Sequence, residues 1–202
     1  MELQEFADVV LDCDILTKKE SFDLVKYFSS VLKFPTGFSE ATRPGSLQLI
    51  KMSRFGSITN DIRWHYGGGW RNSIVVSVDK TIKLHAVRLF GSQNKEYLVT
   101  LKVTDSNGVT LATKSGIFMS KLIQCEIGDY QGFDIVFETP VALQAGIQYS
   151  LEASISRSAS GYGQIGFARV DHAGVTFYFA KKAGSDTTVS KGQFPELVFT
   201  VC

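Results

Sequence analysis

Three histidines, His65, His85 and His172, are the side chains in this sequence of 202 residues best suited to acid–base chemistry. Asp171 stands directly before His172, but a catalytic triad is defined by geometry in space and not by adjacency in sequence. The nucleophile-elbow pattern G-x-S-x-G is absent from the sequence. We therefore assign no catalytic residue and predict that the protein is not an enzyme. The sequence places His65 and His172 in loops or at strand ends and His85 within a strand.

The sequence gives equally little support for a nucleotide-binding site or a metal-binding site. Gly67, Gly68 and Gly69 lack the G-x-x-x-x-G-K-[ST] spacing and the following helix of a phosphate-binding loop, so this segment is predicted to be a flexible turn. The acids and amides in predicted turns, such as Asp105 and Asn107, do not follow the Glu-terminated order of a calcium loop. We predict no cofactor and no metal site.

The cysteine pattern and the charge balance limit the cell compartments and the classes of partner that the sequence supports. The three cysteines are widely spaced and form no C-x-x-C pattern, which is typical of free thiols in a reducing compartment. The first ten residues, MELQEFADVV, carry acids where a signal peptide has a basic head. We therefore expect a cytoplasmic protein, with the nucleus as a second location. The net charge of +1 gives no reason to expect a nucleic-acid or membrane partner, and no apolar run approaches the ~20 residues that span a bilayer.

The strongest candidates for a binding function are aromatic and arginine residues in two glycine-rich connections, because these types dominate binding hot spots. One connection surrounds Gly67–Gly69, and the other is the segment SASGYGQIG, whose three glycines would let the backbone approach a partner closely. The alternative is that the aromatic residues belong to the core, which we favour for Trp64. The predicted protein contacts are Arg63, Trp70, Arg71, Tyr162 and Gln164.

Residues 1 to about 33 have the apolar spacing of two short helices. The second is predicted to begin at Thr17, since Glu20 completes a capping box, and to end before Pro35 and Gly37. Two short helices cannot bury such apolar stripes against each other, so they are expected to dock on the following domain or on a partner upstream. Residues 34–45 are predicted to form a linker.

From about residue 46 the apolar period changes from 3.6 to 2, which is typical of strands with one buried face. Alternating apolar residues occur, for example, at 97–103, 147–155, 175–179 and 197–201. The segment Asp105–Gly108 carries the Asn-Gly pair that favours a tight hairpin. The predicted fold is mainly β, an antiparallel β-sandwich (jelly-roll-like) preceded by a short helical hairpin. A closed barrel remains an alternative, since periodicity does not distinguish the two.

Several segments, in order from about residue 54 to 202, resemble the PHR domain, named for the Pam, Highwire and RPM ubiquitin-ligase proteins. They are Arg54-Phe55, Trp64-His65-Tyr66, SIVVSVDKTIKL, LFGSQNKEYLVTLKV, FDIVFETPVALQAGIQYSL, SGYGQIG, VTFYFA and GQFPELVF, the last being the most specific. The family usually carries glycines ahead of its Leu-Phe-Gly turn. This chain has His85-Ala86-Val87-Arg88 there, so side chains are expected to fill space that glycine leaves open.

The first residues, ELQEFADVVLDCDILTKKESFDLVKYF, are similar to the end of a BACK domain, which precedes the PHR domain in BTB relatives. The resemblance implies two regions, a BACK-like end plus linker at 1–45 and a PHR-like sandwich at 46–202. It also implies a non-catalytic protein-interaction module that selects the protein substrate of a cullin-RING ubiquitin ligase. The cullin would be contacted only through a BTB domain absent from this chain.

A small-ligand or carbohydrate-binding jelly-roll module is the alternative function. In that case Trp70 and Tyr162 would provide aromatic platforms on which sugar rings stack.

Overall fold

The computed structural model describes residues 49–66 and 71–202, except for the side chains of 61–63, and also residues 19, 22, 23 and 26. The chain divides into two compact units, Met1–Leu47 and Gln48–Cys202. In the first unit the four described residues are helical. The rest of the two predicted helices, the capping box, the linker and the Gly67–Gly69 turn lie outside the described residues.

The second unit is built from strands. In chain order they are β1 (Ile50–Ser53), β2 (Phe55–Trp64), β3 (Asn72–Val78), β4 (Ile82–Phe90), β5 (Glu96–Asp105), β6 (Thr110–Met119), β7 (Lys121–Ile123), β8 (Tyr130–Leu143), β9 (Tyr149–Ser156), β10 (Ser160–Gly166), β11 (Arg169–His172), β12 (Val175–Lys181), β13 (Lys191–Gly192) and β14 (Glu196–Val201).

These strands form three antiparallel sheets. A six-stranded sheet has the order β11-β12-β3-β9-β5-β6, a five-stranded sheet the order β1-β14-β4-β8-β7, and a small third sheet the order β13-β10-β2. The chain crosses repeatedly between the two large sheets, for example from β3 to β4 and from β8 to β9, as in a jelly roll. Because both large sheets have free edges, the predicted β-sandwich is confirmed and the closed barrel is not formed.

The core lies between the two large sheets. Tyr97 of the six-stranded sheet stacks on Phe133 of the five-stranded sheet with 5.0 Å between ring centroids, and Phe177 meets Phe199 edge-on at 5.0 Å. The apolar rows predicted from the alternation are buried here, as in β5, where four alternate side chains have no exposure. Two predicted members are exceptions: Ile147 is 39% and Val201 43% exposed, because each lies at the end of its row, beyond the cover of the facing sheet.

The predicted turn at Asp105–Gly108 also forms as expected. The carboxylate of Asp105 accepts hydrogen bonds from the amides of Asn107 and Val109 at 2.9 and 2.8 Å, and Gly108 has a φ of 80°. This backbone conformation favours glycine, so the Asn-Gly pair closes the β5–β6 hairpin.

Candidate protein-binding surface

An open cleft of about 610 Å³ lies on the outer face of the six-stranded sheet. The sheet register forms its floor, because Lys102 of β5 pairs with Glu152 of β9 and Thr100 pairs with Ser154. Further polar lining comes from Tyr66, just after β2, and Arg71, just before β3. The charged or polar residues that line the cleft are Tyr66, Arg71, Thr100, Lys102, Glu152, Ser154 and Ser156.

Tyr66 is fixed at the end of this cleft by a chain of partly buried hydrogen bonds. The side-chain amide of Gln193 donates to the Tyr66 hydroxyl at 2.8 Å, and the hydroxyls of Tyr66 and Ser160 are 2.5 Å apart. Because Ser160 donates to the carbonyl of Gly161 at 2.7 Å, Tyr66 is the donor to Ser160. Burial raises the pKa of Tyr66 far above its ordinary value. The ring is therefore a rigid, neutral wall and not a proton donor to a ligand.

A second, smaller cleft of about 250 Å³ shares Tyr66 and is also lined by His65, Arg157, Ser158 and Ala159. Arg157 forms an ion pair with Glu96 at 3.0 Å between Nη1 and Oε2. The two clefts make one polar surface on either side of Tyr66.

The acids of this surface already have basic partners. Glu152 is paired with Lys182, and Glu96 with Arg157. Among the residues that the structure describes, Arg71 and Lys102 form no ion pair. Both side chains belong to exposed residues. The cleft therefore presents two uncompensated positive charges beside a row of hydroxyl groups.

The predicted contacts Tyr162 and Gln164 lie in a different environment, on β10 of the small sheet. Tyr162 is only 3% exposed, and its ring packs against Trp64 with 5.1 Å between centroids. The Gln164 amide donates to the Tyr162 hydroxyl at 3.1 Å, and the Lys191 ammonium lies 4.8 Å from the Tyr162 ring centroid. Tyr162 is thus an internal packing residue. It offers no open platform for a sugar ring.

The structure describes the other three predicted contact residues only in part. Arg71 is exposed and lines the larger cleft. Arg63 lies on β2, but its side chain is outside the described residues, as is the whole of Trp70. The described residues therefore bring Tyr162 and Gln164 together and place Arg71 apart from them, in the cleft. Whether any of the five contacts a partner stays a prediction.

The glycines of SGYGQIG do permit close approach, but the approaching groups belong to the same domain. A Cβ at Gly163 would overlap the Phe55 ring, and one at Gly166 would overlap the Val189 carbonyl oxygen. A Cβ at Gly161 would lie 2.9 Å from the Thr59 carbonyl oxygen. The expectation that this backbone is left open for a partner is wrong, because β2 and the segment before β13 already fill the space.

The GQFPELVF segment is also internal. Gly192 and Phe194 have positive φ values of 129° and 67°, and the Phe194 ring is 1% exposed in the core. Gln193 accepts a hydrogen bond from the Phe90 amide at 2.9 Å. These residues therefore fix the backbone between β13 and β14 and take no part in the exposed surface.

Arg54 holds the same segment from the opposite side. Its guanidinium donates to the carbonyl oxygens of Val189 at 2.6 Å, Gln193 at 2.9 Å and Phe194 at 3.2 Å, and lies 4.0 Å from the Phe55 ring centroid. Burial lowers its pKa to about 9, so the side chain is still protonated at neutral pH. Arg54 thus joins the segments that precede and follow β13.

The segment that departs from the family pattern is filled as expected. Ala86 and Val87 are buried in β4, and His85 Nε2 lies 3.0 Å from the Thr200 hydroxyl. Arg88 forms ion pairs with Asp134 and Glu196. Ala86, Val87 and Arg88 take up interior space, and none of these residues lines the outer cleft.

The three histidines lie on different strands or connections of the described chain. His65 follows β2, His85 lies in β4 and His172 ends β11, which matches their predicted positions. The described part of the chain contains no cluster of three or more His, Cys, Asp or Glu residues placed to hold a metal ion. None of the described helical residues belongs to a helix long and apolar enough to cross a membrane.

The fold defines a β-sandwich module with an exposed polar cleft, and comparison with known proteins gives the family. The PHR domain model matches residues 53–200. The chain is 33% identical to BTB/POZ domain-containing protein 6-A of Danio rerio over 98% of its own length and 36% of that protein. It is 31% identical to human BTB/POZ domain-containing protein 6, again over 98% of this chain and 36% of that protein.

The chain therefore belongs to the PHR domain family, and it spans just over a third of the length of these BTB/POZ relatives. The family and the relatives indicate a protein-interaction module of BTB/POZ proteins. Among solved structures, the structure of infectious bursal disease virus Gx strain aligns over 76% of the present chain and 37% of the viral chain. The two chains are 10% identical in sequence, and the TM-score is 0.28. That score is too low to support an argument.

Sequence reasoning missed Lys102 and Glu152 as members of the cleft. Their outward direction was readable, since both lie in the polar rows that alternate with the apolar rows of β5 and β9. The missing information was the pairing of these two strands. That pairing brings Lys102 opposite Glu152.

Proposed function

We propose that this chain is the substrate-recognition part of a BTB-type adaptor for a cullin-RING ubiquitin ligase. The observation that carries the proposal is the PHR family match over residues 53–200 together with the BTB/POZ relatives. In such an adaptor the sandwich binds the protein to be ubiquitinated, and a BTB domain binds the cullin. We place this activity in the cytoplasm, with the nucleus as a second location.

The architecture supports a binding role. The two large sheets share one core, and the buried Arg54 and Gln193 side chains secure the turns at one end of it. A preformed surface of this kind binds without a large ordering cost. The cleft beside Tyr66 offers such a surface, since the Gln193 amide holds the Tyr66 hydroxyl in place.

The proposal is tested by using the chain as a competitor in cells. The 202-residue chain spans just over a third of the length of its BTB/POZ relatives, so its overexpression should compete with the intact ligase for substrates and protect them. Captured proteins should be identified by affinity purification and mass spectrometry, and their ubiquitin-remnant peptides should be quantified with and without the chain. We expect captured proteins to lose ubiquitin and to live longer.

The control is a destabilised chain carrying Gly163→Val, since a larger side chain at this position overlaps the Phe55 ring. Proteins captured equally by the control do not count as partners. If the proteins captured by the intact chain keep their ubiquitination and lifetime, the ligase role is wrong.

A further inference from the structure

We propose that the cleft between Tyr66 and Lys102 binds an extended segment of the partner protein through acidic side chains of that segment. This inference rests on the proposed function and adds the chemistry that the partner must carry. It follows from the charges of the cleft, the hydrogen-bonding groups beside them and the register of the strands beneath them.

The charge argument begins with the pairs already formed. Lys182 neutralises Glu152, and Arg157 neutralises Glu96. Arg71 and Lys102 are the charged groups in the lining that have no ion-pair partner in the described part of the chain. Asp186 is a neighbour through its backbone, whose amide donates to the Arg71 carbonyl at 3.3 Å, but the two side chains form no ion pair. A ligand that brings two negative charges would therefore complete the surface.

The hydroxyl groups favour a polar, hydrogen-bonding ligand. Thr100 and Ser154 face each other across β5 and β9, and Thr100 shares a hydrogen bond of 2.9 Å with Ser115. Ser156 lies one step further along β9 and points to the same side. Outward side chains on a strand repeat every ~7 Å. Lys102 and Arg71 lie on opposite sides of β9, since Lys102 pairs with Glu152 and Arg71 directly precedes Asn72, the partner of Ala153. An extended peptide that crosses β9 near Ser154 can therefore present acidic side chains to both charges while the serine row lies beside its backbone.

The charges in the cleft favour a carboxylate ligand over a phosphate ligand. Glu152 lies in the cleft next to Lys102. A phosphate carries close to two negative charges at neutral pH, and it would be repelled by this carboxylate more strongly than a singly charged Asp or Glu side chain. The planar fork of Arg71 matches a carboxylate and a phosphate alike, so the repulsion by Glu152 is what favours the singly charged group. We therefore commit to an Asp- or Glu-rich segment as the occupant.

The test uses the whole 202-residue chain and fluorescence polarisation with three labelled peptides. In the first peptide Glu alternates with Ser, in the second Gln replaces every Glu, and in the third one phosphoserine stands among Gln and Ser residues. The chain is compared with the double variant Arg71→Glu/Lys102→Glu. The matched control is Lys51→Glu/Lys83→Glu, which makes the same charge change on exposed residues of the five-stranded sheet.

We expect the Glu peptide to bind the unaltered chain and the control, and its Kd to rise by about tenfold or more in Arg71→Glu/Lys102→Glu because like charges then face each other. The Gln peptide should bind at least about tenfold more weakly than the Glu peptide to the unaltered chain. Equal loss in the control would show a general charge effect and overturn the proposal. So would tighter binding of the phosphoserine peptide, or no saturable binding of the Glu peptide.

Failure of this inference is distinguishable from failure of the proposed function. If Arg71→Glu/Lys102→Glu captures the same cellular proteins and protects them as the unaltered chain does, the ligase role stands and the cleft is not the binding site. If the Glu peptide binds as expected but captured proteins keep their ubiquitination, the cleft assignment stands and the ligase role is wrong.

Discussion

Arg88 of β4 and Glu196 of β14 form a buried ion pair, with 2.6 Å between Nη1 and Oε2 and side chains that are 9% and 5% exposed. Tyr130 donates a further hydrogen bond of 2.6 Å to the same carboxylate oxygen. Burial opposes a charge on Arg88, but its hydrogen bonds and charge interactions with Asp134 and Glu196 outweigh this and raise its pKa. The pair joins neighbouring strands of the five-stranded sheet.

The first prediction concerns this pair. Glu196→Gln should lower the free energy of unfolding by about 1–3 kcal/mol, because the buried Arg88 keeps Asp134 but loses its second carboxylate partner. Urea denaturation followed by circular dichroism measures the change. Glu138→Gln is the matched control, since Glu138 also pairs with a basic residue, Lys114, but its side chain is 86% exposed, and we expect little change there. Equal effects of the two substitutions would show that burial of the pair contributes nothing.

The second prediction concerns alkaline stability. Burial and the neighbouring Glu196 carboxylate raise the pKa of Tyr130 above its ordinary value near 10. A group whose folded-state pKa is raised stabilises the fold fully below its unfolded-state pKa, and this contribution is lost as the pH rises above it. The free energy of unfolding should therefore fall above about pH 10. Tyr130→Phe should be less stable at neutral pH by about 1–2 kcal/mol, with a shallower fall above that pH.

Urea denaturation at a series of pH values between neutrality and the alkaline range measures both effects. Tyr178→Phe is the control, because Tyr178 is 45% exposed and its substitution should leave the slope unchanged. An unchanged slope in Tyr130→Phe would contradict the assignment of alkaline sensitivity to this hydroxyl.

The third prediction concerns the close approach at Gly163. Gly163→Ala should destabilise the domain by about 1–3 kcal/mol, because the added methyl group overlaps the Phe55 ring and forces it to move. Gly116→Ala is the control: its Cβ would meet Phe118 at 3.4 Å, an ordinary contact. Thermal unfolding by differential scanning fluorimetry compares the two. A tolerated alanine at Gly163 would mean that the Phe55 ring has room to shift.

The fourth prediction separates packing from binding. Tyr162→Ala should lower the free energy of unfolding by about 3–5 kcal/mol, as expected for a large aromatic residue removed from a packed site. Arg71→Ala should change it by less than about 0.5 kcal/mol, since the side chain is exposed. Urea denaturation of both variants, beside the peptide-binding assay, checks this. A stable Tyr162→Ala variant with impaired peptide binding would restore Tyr162 as a surface contact.

The sequence by itself determined the mainly β fold. The period-2 rows that include Val99, Leu101 and Phe177 require one face of each strand to be buried, whatever the strands pair with. The Asn-Gly turn after Asp105 is equally local, because it depends on the backbone freedom of Gly108. The positions of strands and hairpins depend on residues that are close together in the sequence, so the sequence alone predicts them.

Only the tertiary structure decided which polar groups share the exposed surface. It also decided at which glycines the space for a Cβ atom is occupied by other residues. Lys102 meets Glu152 through strand pairing, and Gly163 meets Phe55 through the third sheet, so neither contact leaves a periodic signal. Tyr162 looks open in sequence because small residues surround it. It is buried because those small residues allow β2 and Lys191 to close over it. Alternation fixes the direction of a side chain relative to its own strand, but the identity of the facing group depends on segments far away along the chain.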